Sequence, residues 1–188
     1  MKFTLILAAF VAASSAHMRM SDPPPIHALG NKFGKGEDQR EPLMGPEQFP
    51  CRGYGSSLGS GAGQTVAQWE AGSMQKFKTF GAPAPSFQAS HGGGSCQVSF
   101  STDLGKTFKV VKSFIGGCPS LPDDGNIGNG EAHGTHIVNG YPFKVPKDLP
   151  IGPVLFAWTW FNNIVSTLGV SIYRSLANVK QEIGRAHV

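Results

Sequence analysis

Residues 154–161 read V-L-F-A-W-T-W-F. Side chains alternate across an extended strand, so Val154, Phe156, Trp158 and Trp160 share one face. Three large aromatic side chains on one face are the mark of a sheet packed against a core, and the stretch predicts a strand with Trp158 and Trp160 buried. Shorter runs of the same kind precede it. Cys96, Val98 and Phe100 alternate with Gln97, Ser99 and Ser101, and 108–115 is a second run that ends at the turn G-G-C-P, 116–119. Weaker strand signals lie at 64–68, 74–80, 136–138 and 143–145. Short strands parted by turn residues predict an all-β sandwich. No internal repeat is present.

Composition agrees. Charged residues make up 15% of the chain, against 25 glycines and 14 prolines, a balance that suits a turn-rich β protein better than a helical one. The stretch 18–49 has P-P-P at 23–25 and mixed charges at 35–41, and reads as a long loop wrapping a scaffold; 54–63 is a Gly/Ser-rich loop. A net charge of +4 with scattered basic residues gives no nucleic-acid footprint. The segment 162–188 contains S-L-A-N-V-K-Q-E-I-G-R and reads as helix-compatible, unlike everything before it.

The first 16 residues read as a secretory signal peptide: Lys2, an apolar run over 3–13, then Ser14 and Ala16 as the small residues of a cleavage site. That run is shorter than the roughly 20 residues a membrane span needs. A secreted, extracellular chain with no membrane partner is expected. Cleavage after Ala16 makes His17 the first residue and gives it a free α-amine beside its imidazole.

Six histidines are present. His27, His133, His136 and His187 read as ordinary solvated loop residues. His91 sits in A-S-H-G-G-G-S-C, where three glycines clear the space around the imidazole and Cys96 can fasten the adjoining strand. An N-terminal His17 can chelate a metal through its amine and Nδ1, and His91 would supply a third nitrogen. Three nitrogen donors in a plane suit Cu(II); zinc would want a fourth protein ligand. No pair of carboxylates stands in a context suited to glycoside hydrolysis.

With these residues in hand the sequence resembles the fungal lytic polysaccharide monooxygenases of auxiliary activity family eleven, which act on chitin. The matching pieces are H-M-R-M after the leader, F-P-C at 49–51, H-G-G-G-S-C-Q-V-S at 91–99, G-G-C-P at 116–119 and L-F-A-W-T-W-F-N at 155–162. The resemblance implies an immunoglobulin- or fibronectin-III-like β-sandwich over 17–162. It implies one copper per chain in a histidine brace of His17 and His91, with Ala89 beside the axial position, and a disulfide between Cys96 and Cys118. It further implies a secreted, copper-dependent enzyme that oxidatively cleaves chitin or a related crystalline polysaccharide. An external electron donor and O2 or H2O2 would take part, and the enzyme would act as a monomer.

The resemblance stops at Asn163. The family continues into a strand of the type E-M-Y-M-N-C-A, whose tyrosine neighbours the copper and whose cysteine pairs with the one in F-P-C. Here 163–188 is a tail foreign to the family, as a retained intron or mispredicted exon would produce. Val165-Ser166 can be encoded by GTAAGT, a common splice-donor sequence. The family's partner for Cys51 is therefore missing from this sequence, the cysteine count is three, and Tyr173 does not take the axial role. The alternatives are a secreted copper-binding protein or a chitin-binding protein without oxygenase activity.

Overall fold

The alternating pattern becomes eight strands in the computed structural model, which describes residues 18–81, 93–119, 140–166 and 169–182. They are β1 (Met18–Asp22), β2 (Ala67–Glu70), β3 (Met74–Gly81), β4 (Gly94–Ser101), β5 (Lys109–Phe114), β6 (Tyr141–Lys144), β7 (Gly152–Ser166) and β8 (Gly169–Glu182). One sheet has the order β1-β3-β6 and the other β2-β8-β7-β4-β5. The pairs are antiparallel except β2 with β8, which run parallel. The only helices among the described residues are two 3-10 turns, Pro46–Gln48 and Tyr54–Ser57.

The two sheets close on an aromatic core. Val154, Phe156, Trp158 and Trp160 of β7 point into it with Cys96, Val98 and Phe100 of β4, and all are buried. From the smaller sheet come Met18, Met20, Phe77, Tyr141 and Phe143. Phe143 stacks on Phe156 with centroids 4.9 Å apart, and Phe77 stacks on Tyr141 at 4.9 Å. Each such side chain contributes about 1.5–3 kcal/mol by leaving water. The predicted inward set of 154–160 is thus the observed one.

The strand at 154–161 is also buried behind. Leu155 and Ala157, on its other face, pack beneath Ile26, Cys51 and Ala62 from the long N-terminal loop, with Tyr54, Leu58 and Phe108 around them. That explains why the run is continuously apolar and not alternating.

Three readings are corrected. Met18–Asp22, inside the stretch read as loop, is strand β1; its inward Met18 and Met20 alternate with Arg19 and Ser21, a signal of five residues that the prolines after it obscure. The strand expected at 64–68 lies at Ala67–Glu70 and delivers Trp69 to the core. The tail read as helix-compatible is β8, paired with β7 from Gly152↔Gln181 to Ser166↔Gly169 and with β2 from Ala67↔Val179 to Glu70↔Glu182. An otherwise open edge of β7 offers a full ladder of backbone partners, and that outweighs a weak helical propensity. The signal at 136–138 lies outside the described residues.

Candidate functional site

His17, Ala89 and His91 lie outside the described residues, as do His133, His136 and His187. The strands that flank the first three are described, and their directions follow from register and ring contacts. In β6, Tyr141 packs on Phe114, which is paired with Cys96 near the start of β4. Phe143 packs on Phe100 and Phe156, near the other end of β4. So β6 and β4 run the same way. Strand β3, antiparallel to β6, therefore climbs toward the end from which β4 departs, and reaches it at Gly81. Strand β1 starts there too, because Met18 pairs with Gly81. Met18, the neighbour of position 17, and Gly93, two residues after position 91, thus open from one end of the sandwich.

The start of β4 is fixed from several sides. Trp160 Nε1 donates to the Gly93 carbonyl at 3.2 Å, and the Cys118 amide donates to the Gly94 carbonyl at 3.3 Å. Cys96 and Cys118 form a disulfide, and the Gly116 amide donates to Ser95 Oγ at 3.1 Å. Gly94 has φ +138, and a Cβ there would sit 2.2 Å from the Phe161 carbonyl oxygen. It pairs with Asn162, whose buried Oδ1 has no hydrogen-bond partner among the described residues. The sequence flagged the G-G-G and W-F-N pieces separately; their contact across β4 and β7 needs the register, which no local pattern carries.

One turn of strand beyond position 17, Arg19 is buried, with its guanidinium over the Phe80 ring at 5.1 Å and Nη1 donating to the Met20 carbonyl. Burial lowers its pKa, and the field of Asp38 opposes that. Arg40 holds the Asp38 carboxyl below the ordinary carboxylate range, chiefly through their hydrogen bond.

His27 is the histidine among the described residues, and it is not solvated as read: its side chain is 13% exposed and its backbone is left-handed at φ +64. Its ring lies 4.8 Å from that of Tyr54, and Tyr54 Oη donates to Glu37 Oε2 at 2.6 Å. Burial, and then that carboxylate, push the Tyr54 pKa up to about 12. Ser57 Oγ is 3.5 Å from Nε2, and Glu37 Oε1 is 3.9 Å from a buried Nδ1 that has no hydrogen-bond partner among the described residues. The order serine, histidine, carboxylate is that of a nucleophile triad, but these separations exceed working hydrogen bonds and assign it no chemistry. Among the described residues no three His, Cys, Asp or Glu side chains gather as a metal site. Cys51 is buried in the loop core beside Leu155 and Ala157.

No protein-family model matches the chain. It is 37% identical over 164 residues to AA11 family lytic polysaccharide monooxygenase A of Aspergillus fumigatus, which covers 85% of this chain and 62% of that protein. It is 33% identical over 160 residues to an AA11 family lytic polysaccharide monooxygenase of Aspergillus oryzae, covering 81% of this chain and 33% of the relative. The chain thus spans less than two thirds of the length of these relatives. Among solved structures, CvAA9A superposes with a TM-score of 0.53 at 15% identity, over 92% of this chain and 81% of that one. The catalytic domain of the monooxygenase Lmo2467 from Listeria monocytogenes gives 0.50 at 16% identity, over 88% and 99%. These structural likenesses confirm the sandwich fold.

Proposed function

We propose, on the premise that this chain is a homologue of the AA11 lytic polysaccharide monooxygenases, that it is a secreted copper-dependent monooxygenase that cleaves glycosidic bonds in chitin. The observation that carries the reading is sequence identity of 37% to such an enzyme over most of the chain. The donor chemistry fits copper. His17, once N-terminal, offers an amine and an imidazole, and His91 offers a second imidazole; nitrogen donors suit Cu(II) at the top of the divalent series. The described geometry supports the pairing, because Met18 and Gly93 open from the same end of the sandwich.

His17 and His91 would hold one copper per chain, with Ala89 nearby. Bound copper would supply the redox chemistry by which an external donor and O2 or H2O2 oxidise the polysaccharide. The chain's own part is positional. The hydrogen bonds to the Gly93 and Gly94 carbonyls and the disulfide fix the start of β4, the strand that follows position 91 in the sequence. Substrate would dock on the end of the sandwich, and the chain would act as a monomer. We read 163–188 as foreign to the family, from a retained intron or mispredicted exon; a transcript that reads through Asn163 into this tail would refute that origin.

The test uses protein processed to begin at His17, loaded with copper and incubated with β-chitin and ascorbate. Mass spectrometry should find oxidised chito-oligosaccharides that vanish in His91→Ala, and calorimetry should show copper affinity falling at least about tenfold in that variant. Tight copper binding without oxidised products would replace the monooxygenase with a copper-binding protein. Chitin binding unchanged without copper, again with no products, would favour a chitin-binding protein.

A further inference from the structure

Basic residues scattered in sequence meet on one face of the smaller sheet. Residues 74, 76 and 78 of β3 point away from the core, since all three are exposed while Phe77 between them and Thr79 after them are buried. Lys76 and Lys78 are therefore neighbours on the outer face, about 6.7 Å apart along the strand. Lys144 stands opposite Met74 in the β3–β6 register, one step further along. The Lys147 side chain lies over Gly72, where a Cβ would meet its Cε at 3.1 Å, the next step again. The four lysines thus follow one another along the line 72, 74, 76, 78, about 20 Å long at strand spacing. All four lysines are exposed.

Among the described residues little neutralises this row. Asp22 pairs with Lys78 at 3.8 Å, and among the described residues it is the sole carboxylate ion-paired to any of the four. Like charges on adjacent positions of a sheet repel, and a single-sign line of charge raises the local concentration of an opposite one. Between the lysines lie the exposed Met74 and Pro142, flat apolar patches suited to the C–H faces of sugar rings. Among the described residues the face has no exposed aromatic ring for base stacking, and lysines are point charges where paired phosphate recognition favours arginine forks. One exposed methionine is also too little apolar surface to enter a bilayer.

We infer that this face is a docking surface for a linear, carboxylate-bearing polysaccharide, a polyuronate chain lying along β3. The inference rests on described residues alone and needs no copper, so it stands or falls separately from the proposed activity.

The experiment measures binding of the whole secreted chain, in EDTA, to polygalacturonate at about 50 mM and about 500 mM NaCl. Lys76→Gln/Lys144→Gln should weaken binding about tenfold at low salt. Lys76→Arg/Lys144→Arg, which keeps the charge, should bind within about twofold of the parent, as should the control Lys35→Gln/Lys106→Gln on exposed loops elsewhere. Parent binding should fade at high salt. Failure of the parent to bind, or equal weakening by the control pair, would overturn the inference. So would tighter binding to duplex DNA or to phosphatidylserine vesicles measured side by side.

Discussion

Gly94 carries more of the site than its size suggests. Its φ of +138 and the Phe161 carbonyl 2.2 Å from a would-be Cβ leave no room for any other residue. Gly94→Ala should therefore cost about 2–5 kcal/mol by urea unfolding, while Gly116→Ala, with φ +71 and open space around it, should cost about 1 kcal/mol. Equal costs would mean that backbone strain alone matters at both. Tyr54 makes a different prediction. Its pKa is pushed up to about 12, by burial first and by its bond to Glu37 second. An unfolded tyrosine loses its proton near pH 10 while the folded one keeps it. The native state then binds more protons, so stability falls as pH rises from about 10 to about 12. Tyr54→Phe should flatten that alkaline decline in a series of thermal melts, and should cost about 0.5–1.5 kcal/mol at neutral pH through the lost hydrogen bond. An unchanged alkaline slope would place the decline elsewhere.

Strand β8 shows what a sequence pattern can and cannot say about an element. It pairs with β7 along its length and with β2 over Val179–Glu182, so its last residues are paired on both sides. A proline at Val179, opposite Val154 of β7 and Ala67 of β2, removes a ladder donor from an interior position and should cost more than about 3 kcal/mol. A loose tail would tolerate it with no change in the urea midpoint. The Cys96–Cys118 bridge closes a loop with a sequence separation of 22, and replacing both cysteines by alanine should cost about 2–4 kcal/mol. The strands with two-residue periodicity, β4 and β7, were legible because inward aromatic and β-branched residues leave an unmistakable alternation. β8 was not, because its pairing is decided by the open edge of β7 more than by its own residues. β1 was hidden by its shortness. For the site, H-G-G-G and W-F-N could be read one by one, while the bond from Trp160 to Gly93 depends on a contact 67 residues apart in the chain.

The larger lesson concerns how the N-terminal third is joined to the sandwich. A sandwich strand ordinarily spends one face on the core and one on water, yet Leu155 and Ala157 are fully buried on the side away from the main core. The loop above them is tied down by its own bonds: Asn31 Nδ2 donates to the Pro25 carbonyl at 2.9 Å and Gln39 Nε2 to the Ile26 carbonyl at 2.6 Å. Two hydrophobic clusters thus share β7, one on each face. If they fold as one unit, Leu155→Ala should cost about 2–5 kcal/mol, as a core truncation does, and tryptophan fluorescence and far-ultraviolet dichroism should still report one transition. Hydrogen exchange should quicken at the Ala28 and Asn31 amides, which bond to the Pro25 and Ala28 carbonyls, together with the amides of β7. A variant that loosens the loop amides alone, at a cost below about 1 kcal/mol, would make the loop a separate cooperative unit resting on a finished sandwich. The first outcome fits the shape of the sequence better, because an unbroken apolar run such as V-L-F-A-W is stable only where both of its faces are covered.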